Sequence, residues 1–282
     1  MLLQGVGCAG GLSIMRAAAQ VASGASLQRK AARILAFACE LCTPNFRNEL
    51  AYAEKCADPD QVCIAGALFS DAAAAFILCN EYAMTKDENV TPVFELVEWG
   101  TSFIPDTIEH LSFYVGTDGS FPVSSSISGN ALRSIICTNI WVNTDIGYQT
   151  ILSRDVSTYA KDAIKQMFER LLLPYKEKIS PGPGGGGQKL QISLGSGDFD
   201  WALHPGGQTI IEGAQQVLQL RDDQLQASRE IYRTRGNSSS ATVLIVLDRL
   251  RTLGKKEHIV ATSFGPGMTI EMAMLRRCET PE

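Results

Sequence analysis

Three polar side chains stand in sequence settings that suit nucleophilic chemistry. Cys8 lies within Gly5-Val-Gly-Cys-Ala-Gly-Gly11, at the predicted start of a helix, where the helix dipole and free N–H groups favour a thiolate. The surrounding glycines would let a substrate approach the sulfur closely. His204 ends an apolar run and precedes Pro205-Gly-Gly207, a position that suits a base or a hydrogen-bond donor to an oxyanion. Asn237 precedes a run of small residues.

Each of these residues also has an ordinary structural interpretation. A cysteine beside glycines is often simply buried, a histidine before a turn is often a polar loop residue, and Asn237 alone predicts a helix cap. Cys39 and Cys42 have the spacing of a metal or redox pair, but no second pair or histidine motif follows them. Core packing is therefore the preferred interpretation of that pair, and the sequence predicts no metal site.

The composition limits the class of protein. The chain has 282 residues, of which 45% are hydrophobic and 20% charged, as in ordinary globular proteins. A net charge of -5 without a Lys/Arg-rich run argues against a nucleic-acid partner. No apolar run reaches the about 18 residues that a membrane span needs, and the first residues do not resemble a signal peptide. Eight dilute cysteines predict reduced thiols, so we expect a cytoplasmic protein.

The pattern of apolar residues predicts alternating helices and strands, which indicates a layered α/β fold. The predicted helices cover residues 10–22, 46–56, 159–173 (ending before Pro174), 207–220, 225–234 and 239–252. The predicted strands cover residues 32–41 (buried), 93–100, 198–203, 258–264 and 269–275, and a short turn of helix feeds another buried strand within 65–79. Two segments break the alternation: 116–146 follows no period, and the glycine-rich 181–187 predicts a flexible loop.

Taken together and in order, the motifs resemble those of one enzyme family. Cys8 in GCAGG, His204 in HPGG, Asn237 in GNSSSA and the FGPG of Phe264–Gly267 resemble the active-site motifs of thiolase-fold condensing enzymes, specifically the chalcone synthase-like type III polyketide synthases. Ketoacyl synthase III relatives are similar at Cys, His and Asn but usually carry FGGG in place of FGPG. Two further runs resemble the fungal branch: Phe37–Cys42 and Ala67–Ala74.

The resemblance implies a fold and a mechanism. The fold is a thiolase-like layered αβαβα arrangement of two related halves, of which the first is incomplete here. Cys8, held as a thiolate by His204, would take an acyl group from a CoA thioester. His204 and Asn237 would donate hydrogen bonds to the thioester oxygen of malonyl-CoA, whose decarboxylation drives a Claisen condensation. No cofactor is implied. Fungal relatives tend to use fatty acyl starters and to make pyrones, alkylresorcinols or resorcylic acids.

The resemblance also implies positions that contact the substrate. These positions are Phe69, Cys42, Asn45, Ser239, Gly265 and Pro266. Phe69 matches a gatekeeping phenylalanine between the CoA tunnel and the cavity, although a core aromatic remains an alternative. Thr150 replaces a second gatekeeping phenylalanine of plant relatives, and Ser263 stands where those relatives have glycine. We therefore expect a differently shaped cavity and a product other than chalcone.

The chain also departs from the family in its organisation. Cys8 stands close to the start, so we expect an N-terminally truncated chain whose missing elements leave sheet edges and apolar faces exposed. Residues 1–115 are assigned to the remainder of the N-terminal half and 147–282 to the C-terminal half. Residues 116–146 are assigned to an insertion, for which a translated intron is our hypothesis. The resemblance implies a homodimer, and the alternatives are a ketoacyl synthase III-like enzyme and a non-catalytic truncated relative.

Overall fold

A computed structural model of the chain describes residues 6–43, 46, 50, 53–57, 65–85, 91–115, 148–153, 155–180 and 193–278. The helices in these ranges are α1 (Gly10–Leu27), α2 (Ala65–Leu68), α3 (Glu81–Met84), α4 (Val156–Ile179), α5 (Gln208–Leu218), α6 (Gln226–Arg235) and α7 (Ser240–Leu253). The strands are β1 (Arg33–Glu40), β2 (Ala72–Cys79), β3 (Phe94–Phe103), β4 (Leu111–Val115), β5 (Tyr148–Leu152), β6 (Phe199–Leu203), β7 (His258–Gly265) and β8 (Thr269–Arg277).

The strands form three separate sheets in the described part of the chain. β1 and β2 pair antiparallel, and so do β4 and β5. The largest sheet has four strands in the order β3-β8-β7-β6. Its β6 and β7 are parallel, whereas β8 pairs antiparallel with both β7 and β3. The carboxyl ends of β6 and β7 therefore lie side by side at one edge of this sheet.

Two helices, α1 and α7, lie between the two-stranded β1–β2 sheet and the four-stranded sheet. Small and aliphatic side chains from all these elements form one hydrophobic cluster, for example Leu12 of α1 and Val243 of α7. A second cluster joins the opposite face of the four-stranded sheet to α4 and α5. Arg16 of α1 is also tied to buried Glu271 of β8, with Nη2 and Oε1 2.9 Å apart. Within the described residues, the result is a stack of alternating sheets and helices.

The strand β1 departs from the prediction of a fully buried strand. Ala36 and Ala38 face the helices and are buried, whereas Leu35 and Phe37 are exposed. On β2, Ile77 pairs with Leu35 and is exposed as well. The apolar run covers both faces of the strand, but in the described part of the chain only one face is packed. Sequence periodicity cannot distinguish a strand packed on one face from a strand packed on both, because an apolar run without alternation places apolar side chains on both faces in either case.

The prediction that α4 ends before Pro174 is wrong, because α4 continues to Ile179. Proline removes one backbone donor and usually kinks or ends a helix. Here the next residue, Tyr175, is fully buried, and its hydroxyl donates to the carbonyl of Leu275 and lies 2.8 Å from Nδ1 of His258. These tertiary contacts stabilise the last turns of the helix and offset the local preference.

The division of the chain at residue 115 stays a prediction. β3, which that division places in the N-terminal half, is hydrogen-bonded to β8 of the C-terminal half. Residues 116–146 and 181–187 lie outside the described residues, and of the predicted helix at 46–56 only 46, 50 and 53–56 are described. None of the described helices is long and apolar enough to cross a bilayer.

Replacing residues 116–147 with a two-residue Asn-Gly turn should leave the β4–β5 pair folded. Val115 and Tyr148 are direct cross-strand partners, so the chain ends on either side of the segment already lie together. Shortening the connection should raise the free energy of unfolding by about 2 kcal/mol, because closing a shorter loop costs less entropy. Urea unfolding of the shortened variant tests this expectation. The control replaces the same segment with a Gly/Ser linker of equal length. Loss of cooperative unfolding in the shortened variant, while the linker variant folds, would contradict the expectation.

Candidate active site

The ends of two parallel strands place His204 in the protein interior. His204 directly follows β6, and its backbone N–H donates to the carbonyl of Thr262 on β7 over 2.8 Å. The next turn is closed by Gly206, whose N–H donates back to the carbonyl of His204 at 2.9 Å. His204 is 1% exposed, so the imidazole lies inside the fold at the strand edge.

Cys8 lies in a single 3₁₀ turn, Gly7–Ala9, immediately before α1. This turn packs on the end of β7, where a Cβ at Gly265 would lie 2.7 Å from the Cβ of Ala9. Such a distance is closer than non-bonded carbon atoms approach, so only glycine lets the strand end reach the cysteine turn. Cys8 is thereby held beside the strands whose ends carry His204.

The glycines that follow Cys8 have a use that the sequence analysis did not predict. A Cβ at Gly11 would lie 2.3 Å from the carbonyl oxygen of Ser240, and one at Gly10 would lie 2.8 Å from the Cβ of Ser240. The pair therefore lets the first turn of α1 contact the first turn of α7. The role of Gly10 and Gly11 in the structure is close helix packing, and the expectation that glycines admit substrate to the sulfur stays a prediction.

Asn237 comes from the segment between α6 and α7 and is 2% exposed. Its Oδ1 accepts a hydrogen bond of 2.8 Å from the backbone N–H of Ser239 and lies 4.0 Å from the Cys8 sulfur, which donates weakly to it. The interpretation of Asn237 as a helix cap is not what the structure shows, because α7 begins at Ser240 and has Ser239 as its N-cap residue. The carboxamide is instead directed at the cysteine.

Ser239 has an uncommon backbone conformation, with φ 50° and ψ -126°. This region is one that glycine adopts freely and other residues rarely adopt, so the turn is strained. The turn is held by the Asn237 side chain and by the backbone N–H of Ser238, which donates to Oγ1 of Thr242 over 2.8 Å. The hydroxyl of Ser239 also hydrogen-bonds to Cys8, which lowers the pKa of the thiol.

Burial nevertheless dominates the protonation of Cys8. Burial, with a smaller contribution from the nearby charge of Glu40, raises the pKa of the thiol to about 11, although hydrogen bonds with Ser239 and Asn237 lower it. The expectation of a thiolate at the helix start is corrected for this structure, because desolvation of the anion outweighs the helix-terminus effect. In the resting site, Cys8 is therefore a neutral thiol.

The imidazole of His204 is neutral as well. Burial lowers its pKa to about 4, since no anion among the described residues stabilises the charged form of the ring. Neither Nδ1 nor Nε2 has a hydrogen-bond partner among the described residues. A neutral imidazole carries one N–H donor and one lone pair, so both functions remain available to a bound molecule.

The residues predicted to contact substrate lie in several places. Phe69 is half-buried, belongs to neither hydrophobic cluster and forms an isolated parallel bridge with Asn237. Cys42 is buried, and burial followed by the nearby Cys8 raises its pKa to about 12. Pro266 is half-buried in the turn after Gly265. Of the predicted positions, Ser239, Cys42 and Gly265 lie beside the cysteine turn. Asn45 lies outside the described residues, and of Thr150 only its place in β5 is described.

Two contacts near Cys8 escaped the sequence analysis. Glu40 accepts hydrogen bonds from the hydroxyl of Ser240 and, at 3.4 Å, from its backbone N–H, and Asp71 accepts from the backbone N–H of Cys42. Glu40 is half-buried, and its hydrogen bonds to Ser240 suit a structural role. Ser240 lies 200 positions away in the chain, so no local signal could have paired them. No cluster of three metal-binding side chains occurs in the described residues.

The comparisons with known proteins test the predicted resemblance. The family described as chalcone and stilbene synthases, C-terminal domain, matches residues 187–279. The chain is 62% identical over 282 residues to the type III polyketide synthase pspB of Penicillium soppii and 29% identical to the acylalkylpyrone synthase csyB of Aspergillus oryzae. Its structure matches that of a type III pentaketide synthase from Neurospora crassa with a TM-score of 0.77 and 32% identity, covering 98% of this chain.

The predicted resemblance to the type III polyketide synthases is confirmed over the whole length of the chain. The fungal relatives and the thiolase-like α/β fold are confirmed as well. The chain spans 64% of the length of pspB, 61% of csyB and 64% of the Neurospora structure. It is also similar to csyB in complex with CoA, with a TM-score of 0.75 and 27% identity over 98% of this chain and 64% of that one.

The buried imidazole makes stability depend on pH. The folded-state pKa of His204 is about 4 against an ordinary 6.5, so the unfolded chain binds a proton first as the pH falls. The free energy of unfolding is unaffected by this group above pH 6.5 and decreases as the pH falls from 6.5 to 4. At ~1.4 kcal/mol per pKa unit, the decrease is about 3 kcal/mol. Urea unfolding at both ends of this range should show a smaller pH dependence in His204→Gln than in the unmodified chain. Equal pH dependence would show that His204 is not neutral in the folded state.

Proposed function

We propose that the protein is an acyltransferase that condenses an acyl-CoA starter with malonyl-CoA by decarboxylative Claisen condensation, with Cys8, His204 and Asn237 as the catalytic residues. The observation that carries this proposal is the buried imidazole of His204, whose two nitrogens lack partners in the described residues. A buried polar group without a partner costs free energy, and functional sites are where such groups are retained. The bound substrate would supply the missing partner.

In the first step, Cys8 takes the acyl group. The sulfur attacks the thioester carbonyl of the acyl-CoA, and its proton passes to the free lone pair of His204. The carbon–sulfur bond to CoA breaks, and CoA leaves as a thiol with the proton from His204. Because both groups are neutral at rest, a proton transfer must accompany the attack. The hydroxyl of Ser239 hydrogen-bonds the sulfur and stabilises the charge that develops on it, whereas Oδ1 of Asn237 accepts from the resting thiol.

In the second step, malonyl-CoA loses carbon dioxide. The breaking carbon–carbon bond leaves its electron pair in an enolate whose oxygen is the former thioester oxygen. The N–H of His204 and the Nδ2 donors of Asn237 stabilise this oxygen; Oδ1 of Asn237 is already engaged by the Ser239 N–H, which fixes the orientation of the amide. The enolate carbon then attacks the Cys8 thioester, releases the thiolate and yields a CoA ester that is two carbons longer.

We infer that the starter is a fatty acyl-CoA. A fatty acyl starter is supported by the 29% identity to csyB, which is named an acylalkylpyrone synthase, and pyrones or alkylresorcinols are then the expected products. The half-buried Phe69 beside Asn237 suits the predicted gatekeeping position. A homodimer stays a prediction. The cytoplasm also stays a prediction, supported by free thiols at the described cysteines.

Release of carbon dioxide from malonyl-CoA tests the proposed roles. Asn237→Ala should lower the rate by about 10²–10³-fold, the usual effect of removing one donor from an oxyanion site. Asn80→Ala is the matched control, because Asn80 is also a buried asparagine that hydrogen-bonds backbone and side chain, but it caps α3 away from the site. It should retain the wild-type rate. Equal losses in both variants, or no release by the unmodified chain, would contradict the proposal.

A further inference from the structure

Ser70 lies within the Ala67–Ala74 run, but its hydroxyl takes no part in the proposed mechanism. Ser70 follows Phe69 directly, and its Oγ donates to the backbone carbonyl of Arg235. The same Oγ lies 2.8 Å from Oγ of Ser238. A serine hydroxyl has a single proton, and here it is given to Arg235, so the Ser238 hydroxyl must donate to Ser70. One side chain thus joins both ends of the Arg235–Ser238 segment.

The backbones of the same two segments are also joined. The N–H of Asn237 donates to the carbonyl of Leu68 at 2.9 Å, and the N–H of Ser70 donates to the carbonyl of Asn237 at 2.9 Å. Gly236, with φ +68°, permits this contact, because a Cβ there would lie 2.5 Å from the carbonyl oxygen of Leu68. The Phe69 segment and the catalytic asparagine are therefore paired as short strands are.

The segment that Ser70 holds also contains the strained turn at Ser239. Asn237 and Ser239 both hydrogen-bond to Cys8, and Ser238, the residue between them, is the one that donates to Ser70. A turn in an unfavourable backbone conformation persists only where its surroundings fix it. Ser70 contacts that turn from the side of Phe69, the position predicted to face the substrate.

We propose that Ser70 is a positioning residue: its hydroxyl clamps the Phe69 segment to the Arg235–Ser239 turn. The clamp keeps the Asn237 carboxamide directed at Cys8 and sets where Phe69 stands relative to it. Ser70 does not touch the reacting atoms. The clamp itself follows from the geometry alone, whereas its effect on catalysis depends on the proposed function of Asn237.

Amide hydrogen exchange, read by mass spectrometry on the unliganded chain, tests the clamp without any activity. In Ser70→Ala, the N–H of Asn237 should exchange up to about thirtyfold faster, the factor expected for the loss of two ordinary hydrogen bonds. Ser70→Thr keeps a hydroxyl and should restore the slow exchange. Ser26→Ala is the matched control, since Ser26 also donates to one residue, Glu81, and accepts from another, Asn80, at a distance from the site.

The exchange rate at Asn237 tests the clamp, and the release of carbon dioxide tests its effect on catalysis. Unchanged exchange at Asn237 in Ser70→Ala, or the same acceleration in Ser26→Ala, would overturn the clamp. If the unmodified chain releases carbon dioxide from malonyl-CoA, Ser70→Ala should lower the maximal rate several-fold and leave KM unchanged, since the clamp orients Asn237 without binding CoA. If the unmodified chain releases none, the proposed function fails, and the exchange data still decide whether the clamp exists.

Discussion

Burial of both a thiol and an imidazole, where strand ends meet two helix starts, is the constraint on which the proposed site depends. Desolvation disfavours charge on either group, so Cys8 and His204 are both neutral at rest. A neutral imidazole keeps a donor and an acceptor, which are the two functions that acyl transfer and enolate stabilisation require. The same burial lowers the free energy of unfolding, because the histidine nitrogens lack partners among the described residues.

Close backbone approach packs the elements of this region together. Gly265 brings the end of β7 onto the cysteine turn, and Gly11 brings α1 onto α7. Gly236 does the same for the Phe69 segment. At each position a side chain as small as that of alanine would separate the layers. The elements that carry Cys8, His204 and Asn237 are far apart in the chain, and these contacts bring them together.

The sequence allowed most of the helix and strand order to be predicted, because apolar periodicity is a local property, but it missed β4, β5 and α3. It also pointed to Cys8, His204 and Asn237 through local motifs, and their catalytic roles stay a prediction. It could not indicate the raised pKa of Cys8 or the continuation of α4 past Pro174, because both result from tertiary burial. The contacts of Ser70 with Arg235 and Ser238 join positions more than 160 residues apart, so no spacing rule predicts them.

The account depends most directly on Cys8 as the residue that carries the acyl group. Intact-protein mass spectrometry after incubation with a fatty acyl-CoA measures this, with peptide mapping to locate the label. The predicted result is one added acyl mass at Cys8, absent from Cys8→Ala and retained in Cys39→Ala, which removes an exposed thiol instead. Undiminished labelling in Cys8→Ala would contradict the account.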